Sequence, residues 1–294
     1  MTKNIFNDIA CLRKASLKNY NTYHVECIAK YLFNPSNEAE LIKILKIIKD
    51  NNMKYLILGN GSNIILACDY FDGAVIKLNN LNNLNFNGNL ITVGAGYSLS
   101  KLAFETIERG LSGLEFASGI PGLVGASTAM NAGAYNHSMS DIVKEVRVLT
   151  PELEIAIFKN SDMDYSYRNS FIKQNHDYII LSTTIELTPG NIEEMKAKIQ
   201  DKKAKRINSQ PLELPNAGSV FRNPEGMYAG ELIEKSNLKG CNINGAEVSL
   251  KHANFIVNRG NATGKDIVEL IEKIQKEIKN KYNIELTLEQ IIIK

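Results

Sequence analysis

Four short stretches of this chain combine residue types that could do chemistry. Two are rich in glycine and small residues: GNGSN at 59–63 and GLEFASGIPGLVGASTAMNAGAY at 113–135. Two are polar turns, YSYRNS at 165–170 and NAGSVFRNP at 216–224, which set a hydroxyl or a guanidinium among turn residues. A Gly/Asn/Ser turn can present consecutive backbone N–H groups to an anion such as a phosphate. The turn from Gly59 to Asn63 reads more simply as an ordinary hairpin turn. It is not a dinucleotide fingerprint, because Ile64 stands where the third glycine of G-x-G-x-x-G belongs and strand-like residues follow. In the longer run, Gly119, Gly122 and Gly125 are costly unless backbone must pass close to something bulky, either a ligand or tightly packed chain. The two clusters together suggest a phosphorylated cofactor lying against backbone. Glu289, in the apolar stretch LEQIII, reads either as a residue on an outward strand face or as a site carboxylate. Neither G-x-S-x-G nor a suitably placed histidine supports a serine triad.

The elements that must position these residues follow from periodicity. Over 36–52, Leu41, Ile44, Leu45 and Ile48 recur at helical spacing, with Ser36 as the expected N-cap. Residues 98–109 suit a second helix, capped by Ser98 and closed by Gly110. Strand-like runs occur on both sides of 59–63, at 90–96 and through 142–188. A charged helix over about 192–207 opens with Asn191 and Glu194 at capping-box spacing. A further short helix is expected around 229–236 and a strand at 254–258. A long helix starts at Thr263 with Asp266 three residues on, and carries Ile267, Leu270, Ile271, Ile274 and Ile278 on one face. The closing IELTLEQIIIK reads as a terminal strand. A boundary is expected near 190, at the Pro189-Gly190 turn.

With 294 residues the chain is long enough for two or three units. Lys+Arg at 34 against Asp+Glu at 32 leaves a net charge of +2, without the basic excess of a dedicated nucleic-acid binder. Cys11, Cys27, Cys68 and Cys241 form no CxxC pair, so reduced thiols are expected. The scattered histidines give no zinc spacing. The N-terminal sixteen residues lack the apolar stretch of a secretory signal, and no apolar run is long enough for a membrane helix. A soluble, cytoplasmic protein without nucleic-acid, membrane or metal partners is the expectation.

Six strings in order carry a resemblance: LGNGSN (58–63), the run 113–135, YRNS (167–170), NAGSVFRNP (216–224), KHANFIVN (251–258) and L-x-x-E (286–289). Together they resemble the UDP-N-acetylenolpyruvoylglucosamine reductase (MurB) family from about residue 20 to the end. The resemblance implies an α+β protein with the FAD-binding fold of the vanillyl-alcohol-oxidase type. Two α+β lobes, 1–78 and 79–190, would hold FAD, and a C-terminal substrate domain would occupy 191–294, with a terminal strand that can return to the FAD lobes. Gly59, Asn60, Gly61, Ser62 and Asn63, with Gly119, Pro121, Gly122, Gly125, Asn131 and Gly133, would contact dissociable FAD. Arg168, Ser219 and Glu289 match the family's active-site positions, and Tyr167, Arg206, Arg222 and Asn223 are expected to bind substrate. The short interval from Arg168 to Ser219 resembles the class without an inserted substrate-capping loop. One departure is Glu26-Cys27, which stands where many members have a Gly-Gly pair.

The reaction so implied is the NADPH-dependent reduction of UDP-N-acetylglucosamine enolpyruvate to UDP-N-acetylmuramate, a step in peptidoglycan precursor synthesis. Arg168 would hold the substrate carboxylate, Glu289 would manage the developing enol proton, and Ser219 would protonate carbon. The alternatives are another FAD-dependent oxidoreductase of the same fold, or a flavin or UDP-sugar binder without turnover.

Overall fold

The computed structural model describes residues 5–6 and 9–294. Residues 1–4 and 7–8, part of the stretch expected to lack a secretory signal, lie outside the described residues. In chain order the first strands are β1 (Leu12–Ser16), β2 (Ile28–Phe33), β3 (Lys54–Leu58), β4 (Ile64–Leu66), β5 (Tyr70–Lys77) and β6 (Leu84–Asn87). Next come β7 (Leu90–Gly94), β8 (Leu111–Ser112), β9 (Gly133–Ala134), β10 (His137–Ser138), β11 (Val143–Leu149) and β12 (Ile155–Lys159). The last are β13 (Ile179–Glu186), β14 (Thr188–Pro189), β15 (Asn242–Ile243), β16 (Ala246–Val248), β17 (Ile256–Asn258) and β18 (Ile291–Ile293). The helices are α1 (Glu38–Asp50), α2 (Leu99–Glu108), α3 (Val124–Ala129), α4 (Phe171–Gln174), α5 (Ile192–Ser209), α6 (Ala229–Lys235) and α7 (Gly264–Tyr282).

Contacts divide the chain into two compact units that alternate along the sequence. The first comprises Met1–Arg13, Tyr31–Gly59 and Gly73–Lys203; the second comprises Lys14–Lys30, Asn60–Asp72 and Ala204–Lys294. The last crossing lies within α5. Pro189-Gly190 belongs to the first unit, where Gly190 N–H donates to Gly110 O at 2.8 Å.

The first unit is built on an antiparallel sheet in the order β12-β11-β13-β7-β6. Its central strand β13 is buried through Ile179, Ile180 and Leu181 and then alternates buried and half-buried residues, and Thr183 lies opposite both Val146 and Val93. Strand β3 pairs in parallel with β5, from Lys54 opposite Gly73 to Leu58 opposite Lys77. Helix α1 buries Leu41, Ile44, Leu45 and Ile48 as its spacing predicts. Each such side chain contributes about 1.5–3 kcal/mol on leaving water. The cap is Asn37, not Ser36: Asn37 Oδ1 accepts from Glu40 N–H at 3.0 Å. Ser36 instead donates to Glu40 Oε2 from both its backbone and its hydroxyl, at 2.7 and 2.6 Å. Those two donors hold the Glu40 carboxyl below the usual range. Helix α2 keeps its expected cap, Ser98, and its expected end, Gly110 at φ 69°.

The second unit holds an antiparallel meander, β15-β16-β17, against which α7 packs. Thr263 and Asp266 form the capping box of α7, and the five predicted apolar residues are buried. Its first residue is a glycine because a Cβ there would run into the carbonyl of Leu66 at the end of β4. The terminal strand is shorter than expected. Only Ile291–Ile293 is strand, paired in parallel with β4. Residues 287–289 instead pair with 220–222, so the chain must bend at Glu289-Gln290 to move from one partner to the other. That bend takes Glu289 out of the strand.

Among the described residues no helix is long and apolar enough to cross a membrane. None of their His, Cys, Asp and Glu side chains cluster in a group that could hold a metal ion.

Candidate active site

In the first unit, Tyr167 and Arg168 form the tip of a turn closed by two backbone bonds between Ser166 and Asn169, at 3.2 and 3.1 Å. Arg168 stands at φ 55°, in the left-handed region. A positive φ at the second tip residue is the type II pattern, where glycine or asparagine is the usual occupant. A long side chain held there is the kind of local strain that accompanies function. The surroundings fix it. Arg168 Nη2 donates to Gly133 O at 2.6 Å, and its backbone carbonyl accepts from Lys173 Nζ at 2.8 Å. Asn131, itself at φ 44°, donates to Ser166 O and accepts from Ser140 N–H. Buried Ser170 caps α4 and donates to Ala129 O, one of the carbonyls left open at the end of α3. The guanidinium lies 5.2 Å from the ring of Tyr167, which is exposed.

The glycines of 113–135 have two different reasons to be glycine. At Gly125 a Cβ would lie 2.6 Å from Ala95 Cβ, and at Gly133 it would strike the carbonyl of His137, so both are packing glycines within this unit. The N–H groups of Val124 and Gly125 are already committed, to Tyr97 O and Ala95 O. Around them Gly122 to Gly125 are buried, the small side chains of Pro121 and Ala126 are exposed and Gly119 is half-buried. At Gly122 the space of a Cβ is bordered by Ser127 Oγ at 2.6 Å rather than by backbone. A Cβ on Gly59 would lie 3.3 Å from Ala126 Cβ, closer than ordinary contact, and Lys77 Nζ donates to the Gly59 carbonyl at 2.8 Å. Burial lowers the pKa of this lysine. Small exposed residues at 121 and 126, with Lys77 Nζ on the carbonyl of Gly59, suit a flat ligand with a diphosphate, and the residues present fit FAD.

In the second unit, Gly61 is in the left-handed region at φ 65°, and a Cβ there would strike the carbonyl of Tyr20. Its own carbonyl accepts from Thr22 N–H. Asn63 Nδ2 donates to Glu289 O at 3.1 Å, which ties the turn 60–63 to a predicted catalytic position. Nearby, Asn21 is buried and closes the 21–25 loop on Leu17 O and Val25 O, and Cys27 is buried behind it. Cys27 Sγ lies 3.7 Å from Cys68 Sγ, and burial with the neighbouring thiol pushes Cys27 up to about 12. No spacing in the chain marked this pairing.

Ser219 and Glu289 come together in the same unit. Glu289 N–H donates to Val220 O at 2.9 Å, and Arg222 N–H donates to Thr287 O at 2.9 Å. Ser219 follows Gly218, which is at φ 76° with open space at its Cβ position. Asn216 Oδ1 accepts from Gly218 N–H at 3.0 Å and shapes the approach. Behind Ser219, Asn254 grips the chain: its carbonyl accepts from Val220 N–H, its Oδ1 from Phe221 N–H, and its Nδ2 donates to Phe221 O.

The remaining substrate residues are placed less uniformly. Asn223 is exposed and its Oδ1 accepts from Ala229 N–H. Arg222 Nε is buried and has no hydrogen-bond partner among the described residues, which leaves a donor for a ligand. Arg206, on α5, donates from Nε to Gln210 Oε1 at 3.0 Å. Arg168 belongs to the first unit and Ser219, Glu289, Arg206, Arg222 and Asn223 to the second.

The sequence reading missed Gln290 and Tyr23. Gln290 is 3% exposed and donates to Ala217 O and Gly218 O at 3.1 and 3.2 Å, while its Oε1 accepts from Tyr23 at 3.0 Å. Burial pushes the Tyr23 phenol far above its ordinary value, so it remains a donor. A glutamine beside Glu289 in an apolar run was the available signal; nothing marked Tyr23.

Residues 29–156 match the family described as FAD binding domain, and residues 210–293 match the C-terminal domain of UDP-N-acetylenolpyruvoylglucosamine reductase. Fold and site thus define an FAD-binding flavoprotein of mixed α and β structure. A reductase of that name from Lactobacillus acidophilus is 45% identical over 90% of this chain and 89% of its own. Another, from Clostridium novyi, is 40% identical over 94% of this chain and 90% of its own. The chain belongs to the UDP-N-acetylenolpyruvoylglucosamine reductase family. The crystal structure of the Thermus caldophilus enzyme superposes with a TM-score of 0.84 at 30% identity, over 97% of this chain and all of that one. Cholesterol oxidase from B. sterolicum, at 15% identity and a TM-score of 0.50 over 64% of this chain and 39% of its own, shares the fold alone.

Proposed function

We propose that this chain reduces UDP-N-acetylglucosamine enolpyruvate to UDP-N-acetylmuramate with NADPH as reductant, in peptidoglycan precursor synthesis. Family membership across nearly the whole chain supports the reaction, and the bond from Glu289 N–H to the carbonyl of Val220, next after Ser219, is the observation that carries the residue roles. Bound FAD would supply the hydride chemistry, taking hydride from NADPH and delivering it to the methylene carbon of the enolpyruvyl group. Backbone at 59–63 and 119–125, with Asn131 and Gly133, would hold that cofactor without a covalent bond. Arg168 binds the substrate carboxylate, for which a planar, permanently charged guanidinium is suited. Negative charge that develops toward this carboxylate is stabilised by the same cation. Glu289 manages the enol proton, and Ser219 delivers a proton to carbon. Arg222, with its uncommitted Nε, contacts the diphosphate together with Arg206 and Asn223, and Tyr167 lies against the substrate beside Arg168. The functional lobes run 1–78, 79–190 and 191–294, without an inserted capping loop, and the protein works in the cytoplasm.

The test is optical. Purified protein should be yellow, bleach with NADPH, and recover colour on adding the enolpyruvyl sugar nucleotide. Ser219→Ala should bleach at a near-normal rate but recover ~10²-fold more slowly, the usual effect of losing a positioned general acid. A folded protein that takes up no FAD sinks the reading. If Ser219→Ala leaves recovery unchanged, Ser219 is not the proton donor.

A further inference from the structure

Gln290 adds a side-chain link between two segments that already pair through backbone, 220–222 and 287–289. It follows Glu289 directly in the chain, and its amide reaches the carbonyls of Ala217 and Gly218, the two residues before Ser219. Those two acceptors fix which end of the amide is which. Turned over, Oε1 would face two carbonyl oxygens, so the nitrogen must point at the turn. Oε1 then faces Tyr23, whose hydroxyl must donate; Tyr23 is fully buried and its backbone carbonyl is in turn held by Asn258 Nδ2 at 2.8 Å.

The turn it holds needs such a hold. Gly218 has positive φ and nothing packed at its Cβ position, so the backbone before Ser219 has little steric restraint of its own. Downstream, the Asn254 clamp fixes Val220 and Phe221. Upstream, restraint comes from Asn216 and from Gln290. The hydroxyl direction of Ser219 is therefore set between one clamp on each side.

We propose that Tyr23 and Gln290 are positioning residues for Ser219: the Tyr23 hydroxyl locks the Gln290 amide, and that amide fixes the 217–218 turn so that the serine hydroxyl keeps its direction. The inference rests on Ser219 being the proton donor.

Tyr23→Phe removes one hydroxyl from a buried ring, and Gln290→Met removes the amide at similar volume, so each is a check on the other. In the FAD-loaded protein, each should slow flavin recovery by substrate about 10-fold, less than the ~10²-fold a full 1 Å misplacement can cost. Bleaching by NADPH and substrate affinity should stay within about 2-fold of the original protein, within the scatter of such contacts. Amide exchange over 217–220 should quicken, a readout independent of turnover. The decisive arm is Tyr23→Phe combined with Ser219→Ala. If Tyr23 acts through Ser219, the double variant should recover no more slowly than Ser219→Ala alone. Equal slowing with and without Ser219, or unchanged recovery in both single variants, would overturn the proposal. Unchanged recovery in Ser219→Ala itself would overturn the proton-donor reading instead, and the two failures are read from different variants.

Discussion

Arg168 donates from Nη2 to the carbonyl of Gly133 at 2.6 Å while its own backbone stands at φ 55°. The side chain is thus anchored to the small-residue run by a residue whose backbone conformation favours glycine. Left-handed backbone costs a side-chain-bearing residue roughly 1–2 kcal/mol. A hydrogen bond from a charged donor returns about 1.5–3 kcal/mol, and Nη1 adds a longer one to Asn131 O at 3.4 Å. These anchors offset the strain of the left-handed backbone.

The consequence is measurable in Arg168→Gly. Relief of the backbone strain offsets loss of the anchor and the greater freedom of glycine when unfolded, so the melting temperature should move by only a few degrees. Flavin recovery by substrate should fall by ~10²-fold or more, because a cation facing the developing charge is gone. Recovery at the original rate would show that Arg168 only ties its turn to Gly133.

Gly122 separates a packing glycine from a cofactor glycine. Its neighbour at the Cβ position is a serine hydroxyl, whereas at Gly125 the neighbours are Ala95 Cβ and Ala95 backbone. Gly125→Val should therefore lower the melting temperature of the FAD-free protein. Gly122→Val should fold but lose FAD on gel filtration, since its methyls must displace the Ser127 hydroxyl or push out beside exposed Pro121. Full flavin content in a folded Gly122→Val protein would mark Gly122 as a packing residue.

His252 gives a pH dependence. Burial is the main cause that lowers its pKa, with Lys239 adding to it and Glu234 opposing. The unfolded histidine titrates near 6.5, so as pH falls below about that value the unfolded chain takes up the proton more readily. Stability is fully present above that pH and is lost as pH drops through the folded value. His252 Nδ1 accepts from Asn254 N–H at 3.2 Å, so the loss acts on the residue that clamps Phe221. Between pH 7 and 5, the melting temperature of the original protein should fall more steeply than that of His252→Asn. Parallel slopes would remove His252 as the cause.

Several features of this protein were legible in the chain alone. The faces of α1 and α7, the caps at Ser98 and Thr263, and the order of the glycine and polar motifs rest on spacings of a few residues. Short-range patterns of that kind survive in one dimension because helix period and capping are local physics. Even there, Asn37 displaced Ser36 as a cap, since both side chains can serve and the position of Glu40 decides between them. Only the folded chain decided the rest. Tyr23 meets Gln290 across 267 residues, Cys27 meets Cys68, and Glu289 leaves its strand because its neighbours pair with two different segments. Which glycines would meet backbone and which a movable side chain also depended on what stood opposite them. A side-chain amide, a thiol or a glycine has the same letter whatever it faces, and its role is set by partners that no local pattern specifies.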